Sequence, residues 1–121
     1  MTLRSFAPLF VTMLLMSACS SSSNADSDGG ACPVATGCPT SAPPTYTADI
    51  APILDRVCLT CHAPGGPGGV DFSTYAKVFA NRSAILDQVN ACIMPPSNGP
   101  ALSAGDRIAL TGWLECGAPN D

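Results

Sequence analysis

Apolar residues recur at helical spacing shortly after residue 45 of the chain. Ile50, Ile53, Leu54 and Val57 stand at positions i, i+3, i+4 and i+7, which is the pattern of one apolar helix face. The aspartate at position 49 is a candidate N-cap that leaves Pro52 in the first turn, where its missing N–H costs little. The threonine at position 47 is the other candidate. The spacing predicts a helix that runs directly into the cysteine at position 58.

The helix predicted near the end of the sequence has the clearest boundaries. Ser103 and Asp106 approximate a capping box, and Gly117 followed by Pro119 is typical of a helix end. Its apolar face carries Trp113 and two leucines, and its natural partner is the helix before position 58. The glycine that precedes Trp113 is expected to let these two helices cross closely.

Two shorter apolar segments lie between these helices, after a glycine-rich loop at residues 64–69. Ser73 is a candidate N-cap for the first segment. The apolar positions of both segments are Tyr75, Val78, Phe79, Ile85, Leu86 and Val89. No strand pattern of any length is present, so the sequence predicts an all-α fold of three to five short helices in one domain, residues 46–121.

Residues 1–18 are predicted to be a signal peptide, because a basic residue precedes an apolar run too short to span a bilayer as a permanent helix. The run ends in Met16-Ser17-Ala18-Cys19, which resembles the bacterial lipobox, whose cysteine is diacylated and becomes the first mature residue. Ordinary cleavage near Ala18 is the alternative. Under the usual Gram-negative sorting pattern, Ser20 implies the outer membrane. We therefore expect a lipoprotein of the cell envelope that faces the periplasm or the cell surface.

Residues 19–45 differ in composition from the rest of the chain. Ser, Gly, Pro, Asp and Ala dominate this stretch, and few side chains in it are suited to burial. Such a composition predicts a tether that holds the domain away from the membrane to which Cys19 is anchored.

The chain is acidic, with a formal net charge of −4. Removal of the signal peptide would remove Arg4 and leave four basic residues against nine acidic ones. Because a protein of this charge has no electrostatic attraction for phosphate backbones, nucleic acid is excluded as a partner.

The most distinctive pattern is Cys58-Leu59-Thr60-Cys61-His62, a CxxCH sequence typical of c-type haem attachment. On a helix, spacings of three and four residues place Cys58, Cys61 and His62 on one face. Both thiols could then form thioethers with the vinyl groups of one porphyrin, while His62 supplies the proximal ligand of the iron. The glycine-rich loop is expected to offer a carbonyl that accepts a hydrogen bond from the other imidazole nitrogen.

Met94 is the candidate for the distal ligand. Without the signal peptide, the chain contains His62 as its only histidine and Met94 as its only methionine. Two prolines follow Met94 and stiffen the backbone that carries it. An ordinary core methionine that fills a gap is the alternative.

These residues together resemble a class I-type cytochrome c domain, of the short bacterial kind that is anchored as a lipoprotein. The resemblance covers residues 46–121, and it rests on the helix before CxxCH, the Met94-Pro95-Pro96 loop and the final helix with Trp113. It implies a fold in which helices wrap around one covalent haem c and the N- and C-terminal helices cross. It also implies the haem-binding residues, which would be Cys58, Cys61, His62 and Met94.

The cysteine count fits this interpretation. Of seven cysteines, one is assigned to lipid and two to haem, which leaves Cys32, Cys38, Cys92 and Cys116. An even remainder in an exported protein predicts two disulfides. Cys92 and Cys116 depart from the minimal cytochrome c pattern, and we expect them to be bridged to each other, with Cys32 and Cys38 closing a small loop. Two unpaired thiols in the domain, or a metal site at Cys32 and Cys38, are the alternatives.

The predicted function is one-electron transfer between a donor and an acceptor redox protein, and no catalytic nucleophile or proton-transfer group points to an enzyme. If Met94 does not bind iron, a five-coordinate haem sensor or a peroxidase-like module is the alternative. A thiol–disulfide oxidoreductase that uses CxxC is another alternative, although that class of enzyme has its CxxC motif in a βαβ unit and no strand pattern is present. A zinc site is also open, with ligands Cys58, Cys61, His62 and either Cys92 or Cys116.

Overall fold

The computed structural model describes residues 32–121. The predicted signal peptide, residues 1–18, and the predicted lipidation site Cys19 lie outside the described residues. Within 32–121 the regular structure is helical and contains no strand, which confirms the all-α prediction. The four helices are α1 (46–62), α2 (Tyr75–Ala80), α3 (Arg82–Asn90) and α4 (Ala104–Glu115).

Helix α1 alternates between wide and ordinary turns. π-Helical turns at Tyr46–Ile50 and Leu54–Cys58 alternate with α-helical turns at Ala51–Ile53 and Leu59–His62. The helix begins earlier than predicted, so Pro52 lies beyond its first turn. The wide turn immediately before Pro52 accommodates a ring that would otherwise press on the preceding turn of an α-helix.

The start of α1 is satisfied by two carboxylates, one within the helix and one distant in the sequence. Thr45 is the N-cap residue, and its backbone N–H donates to the Asp49 carboxylate at 2.8 Å. The backbone N–H of Tyr46 donates to the carboxylate of Asp121. Two carboxylates thus meet the unpaired N–H groups and the positive end of the helix dipole. The sequence pattern placed the cap at residue 47 or 49 because the contribution of Asp121 depends on tertiary structure.

Helix α4 begins and ends as predicted. The Ser103 hydroxyl accepts from the backbone N–H of Asp106 at 3.1 Å. At the other end Gly117 has a φ of +86°, a conformation that glycine adopts without strain. The N–H of Ala118 donates to the carbonyl of Trp113 at 3.0 Å, as in a Schellman motif.

All four helices contribute to one apolar core. The first turn of α1 and helix α3 both pack against α4, so the first and last helices are in contact. Trp113 is fully buried, and its indole ring lies 5.7 Å from the ring of Tyr46. The buried apolar residues of the core are Ile50, Ile53, Leu54, Val78, Ile85, Val89, Leu110, Trp113, Leu114 and Ala118.

The predicted disulfide pairing is wrong. Cys32, Cys38, Cys92 and Cys116 are all in disulfides, but the bonds join Cys32 to Cys92 and Cys38 to Cys116. The short separation of Cys32 and Cys38 suggested a local loop. However, the segment that carries them runs across the domain, so each cysteine meets a different partner.

Residues 32–45, which we call the strap, lie against the helices rather than apart from them. The backbone N–H of Ala35 donates to the Thr111 hydroxyl at 2.8 Å, and Thr111 is fully buried. A Cβ at Gly112 would come within 3.2 Å of the Pro39 ring. The lack of a side chain at Gly112 therefore makes room for the strap. The prediction that this glycine allows a close crossing with α1 is wrong. Residues 19–45 were predicted to form a free tether. Over residues 32–45 this prediction is wrong, because the strap packs on the helices.

Candidate functional site

A cavity of about 620 Å³ in the described part of the chain is lined by all four predicted haem-binding residues. The last turns of α1 and the glycine-rich loop form one wall, with Cys58, Cys61 and His62. One face of α3 and the loop that carries Met94 form the rest. The walls are mainly apolar. The sequence prediction thus named side chains that the fold brings to one cavity.

The two cysteines of the motif are the only free thiols among residues 32–121, since the other four cysteines there are in disulfides. Both are half-buried at the cavity wall. Burial raises the pKa of the Cys58 thiol to about 11. Disulfide-exchange enzymes instead lower the pKa of their attacking cysteine, so the shift at Cys58 is in the opposite direction.

The glycine-rich loop and the residues after it hold the imidazole of His62. Its Nδ1 lies 2.8 Å from the carbonyl oxygen of Val70. A carbonyl only accepts hydrogen bonds, so Nδ1 is the protonated nitrogen and donates to it. In the neutral ring Nε2 then keeps its lone pair, as a metal-binding histidine requires. The acceptor is thus the carbonyl of Val70, one residue beyond the loop at 64–69 from which it was expected.

Two further residues fix the imidazole plane. Phe72 stacks on the ring of His62, with 4.4 Å between ring centroids, and its backbone N–H donates to the His62 carbonyl at 2.8 Å. On another side, a Cβ at Gly68 would stand 2.7 Å from both Cε1 and Nδ1 of His62. Only glycine leaves room for the imidazole at that distance. The loop is therefore fitted closely around the ring.

Met94 lies in the loop after α3, where its backbone is held at both ends. Its N–H donates to the carbonyl of Gln88 at 3.1 Å. Its own carbonyl accepts from a guanidinium nitrogen of Arg107 at 3.3 Å. Arg107 belongs to α4, so the loop is attached to two helices. The side chain is partly buried, lines the cavity and also contacts the apolar core.

The residues that a zinc site would use are not assembled. Cys92 and Cys116, the candidates for a third thiolate, are both in disulfides. No group of three or more His, Cys, Asp or Glu side chains suited to a metal ion occurs between residues 32 and 121. A structural zinc site usually has four nitrogen or sulfur ligands. The described side chains do not provide such a set.

Sequence reasoning missed three contributors to this site: the Val70 carbonyl, the Phe72 ring and the Arg107 guanidinium. Every residue has a backbone carbonyl, so no sequence signal identifies Val70, which follows the glycine-rich loop. The contact of Arg107 with the Met94 loop depends on how α4 packs against the end of α3. The ten-residue spacing from His62 to Phe72 has no local pattern either.

Comparisons with known proteins found no matching family model, no matching curated protein and no matching solved structure. In the part of the chain that the structure describes, no helix has both the length and the apolar character needed to cross a membrane.

Proposed function

We propose that this protein is a single-haem c-type cytochrome that transfers one electron at a time. The proposal depends mainly on one observation, which is that two free thiols, an imidazole and a thioether lie around the same cavity. The imidazole carries its proton on Nδ1, which leaves Nε2 free to bind a metal. Cys58, Cys61, His62 and Met94 line one mainly apolar cavity. The proposal also rests on the CxxCH sequence and on the resemblance to cytochrome c domains.

The cavity suits a haem in size and in chemistry. Its volume of about 620 Å³ is within the usual range for cofactor and ligand pockets. Apolar walls favour a large planar hydrocarbon ring, and the thiols stand where the CxxCH motif would attach it. When bound, haem would supply an iron that cycles between the ferric and ferrous states.

The residues of the chain would each have a defined task. Cys58 and Cys61 would hold the ring covalently. His62 would present Nε2 to the iron, because Nδ1 is engaged by the Val70 carbonyl. Met94 would offer its sulfur from the loop after α3. Ligation of the iron by His and Met raises the reduction potential. No residue is asked to move a proton, so the function is electron transfer between donor and acceptor redox proteins and not catalysis.

We place the protein at the cell envelope, anchored by a lipid on Cys19, as an outer-membrane lipoprotein. This part of the proposal rests on the lipobox-like sequence and on the odd number of cysteines. The substitution Cys19→Ala should move the protein from the membrane fraction to the soluble fraction on cell fractionation. An unchanged distribution would contradict the lipid anchor without affecting the haem proposal.

The haem proposal is tested by expression together with haem-maturation machinery. The purified protein should be red and should keep its colour on the polypeptide through acid–acetone extraction. A colourless protein that contains zinc would overturn the proposal in favour of a metal site. The matched control is the double substitution of Cys58→Ala and Cys61→Ala, which should lose the haem under the same extraction.

The sixth ligand is tested separately, because it distinguishes the electron carrier from a five-coordinate sensor or peroxidase-like module. The substitution Met94→Ala should abolish the weak sulfur-to-iron absorption band of the ferric protein. Retention of that band would remove Met94 from the site. A wild-type ferric protein without the band would favour the five-coordinate alternative.

A further inference from the structure

The loop that carries Met94 contains two consecutive residues without a backbone N–H. Pro95 and Pro96 follow Met94, and neither has an N–H that could bond a nearby carbonyl. Buried or partly buried carbonyls nevertheless need a partner. For the carbonyl of Met94 the partner comes from another helix, because the guanidinium of Arg107 donates to it at 3.3 Å.

The same guanidinium nitrogen also donates to the end of α3. Nη1 of Arg107 lies 2.9 Å from the carbonyl of Val89, in the last turn of that helix. The final carbonyls of a helix lack intrahelical partners, and a positive charge there is favourable. Arg107 therefore links the end of α3 and the Met94 loop through one nitrogen.

The position of Arg107 is itself firmly held. Its backbone N–H donates to Ser103 at the first turn of α4, and its carbonyl accepts from the Thr111 hydroxyl at 2.8 Å. Thr111 is fully buried and also accepts from the strap. The anchor of the Met94 loop is thus a side chain on the most regular helix of the described chain.

We infer that Arg107 is a positioning residue for Met94, which keeps the methionine sulfur aimed into the cavity. The inference rests on the proposed function and adds a residue that no CxxCH or Met-loop pattern identifies. Arg107 does not line the cavity, and its guanidinium bonds run to the backbone carbonyls of Val89 and Met94, so it acts through the backbone of the Met94 loop. If it is removed, the sulfur should leave the iron more readily, while the covalent attachment of haem stays intact.

The test compares Arg107→Gln and Arg107→Lys with Arg56→Gln in the haem-loaded protein. Arg56 also lies beside α4, where it pairs with Asp106 at 2.8 Å, and its loss removes the same charge without touching the Met94 loop. In Arg107→Gln, we expect external imidazole to bind ferric iron at least tenfold more tightly and the sulfur-to-iron band to weaken. Arg107→Lys, which keeps a charged donor, should restore part of both properties. Arg56→Gln should match the wild type.

A second measurement does not depend on the iron. Hydrogen exchange over residues 92–98 should be at least tenfold faster in Arg107→Gln and unchanged in Arg56→Gln. If Arg107→Gln keeps the band, the imidazole affinity and the exchange rate of the wild type, the positioning role is refuted. If the wild type itself lacks the band, the Met94 ligation on which this role depends is refuted as well. Far-UV circular dichroism of each variant shows whether its helices have formed, so loss of folding is recognised independently of the haem.

Discussion

At the scale of single residues, the candidate site depends on a glycine beside an imidazole. Gly68 leaves the space that the His62 ring occupies, and the Val70 carbonyl then fixes which nitrogen is protonated. The CxxCH motif identified His62 as a ligand candidate. It contained no information on the residues that orient the ring, because those contacts come from a loop that folds back.

The substitution Gly68→Ala should therefore disturb His62 directly. A methyl group at that position would meet Cε1, Nδ1 and the Cys61 carbonyl at 2.7 to 2.8 Å. Forcing extra volume into such a site costs about 1–3 kcal/mol. Denaturant unfolding should show this loss, whereas Gly105→Ala, in open space on α4, should be at least as stable as the wild type, because alanine favours a helix over glycine by about 0.5–1 kcal/mol. Equal stability of the two variants would contradict the close fit of the loop around the imidazole.

Asp71 gives this loop a pH dependence. A hydrogen bond from Lys77, together with bonds from Ser73, lowers the pKa of Asp71 from its ordinary 3.8 to about 2. A depressed folded-state pKa means that this stabilisation is complete above pH 3.8 and is lost as the pH falls toward 2. Asp71→Asn should thus flatten the fall in stability between pH 4 and pH 2, measured by unfolding at each pH. An identical pH profile for wild type and variant would show that the pair contributes nothing.

At the scale of elements, the helices could be predicted from the sequence. The contacts between residues far apart in the sequence could not. Helical periodicity is a local property, so the stripe from Ile50 to Val57 and the ends of α4 at Ser103 and Gly117 were recognisable. The first turn of α1 was missed because Asp121 completes it from the other end of the chain. Disulfide partners are likewise set by tertiary packing, and sequence separation misled the assignment.

The corrected disulfides make a direct prediction. Peptide mapping of the unreduced protein should recover Cys32 linked to Cys92 and Cys38 linked to Cys116. The double substitution of Cys32 and Cys92 by alanine should lower the free energy of unfolding by about 2–5 kcal/mol, the usual cost of removing a native disulfide from a small secreted domain. Recovery of a peptide that joins Cys92 to Cys116 would contradict the fold of the strap.

At the scale of the whole molecule, the described surface offers unpaired negative charge and little free positive charge. Arg56 pairs with Asp106, and Lys77 pairs with Asp71. Arg82 lies over the ring of Phe79 at 4.1 Å and also donates to its carbonyl. Every basic side chain between residues 32 and 121 is thus engaged, Arg107 included. If the protein transfers electrons as proposed, its redox partner should therefore present a basic surface.

Small redox reagents of opposite charge can measure the electrostatic effect of this acidic surface on association. At low ionic strength, a cationic oxidant should accept electrons from the reduced protein about tenfold faster than an anionic oxidant of equal driving force. The difference should shrink as salt is added, because screening shortens the reach of surface charges. Equal rates, or a faster anionic oxidant, would show that the acidic surface does not steer association.

The intact mass of the denatured protein shows whether Cys58 and Cys61 carry one covalent haem. Denaturation releases zinc and non-covalent haem but leaves thioether bonds in place. The wild type, produced with haem-maturation machinery, should have the mass of the mature polypeptide plus one haem. The double alanine variant at positions 58 and 61 should have the mass of the polypeptide alone. A wild-type mass without haem would contradict the account.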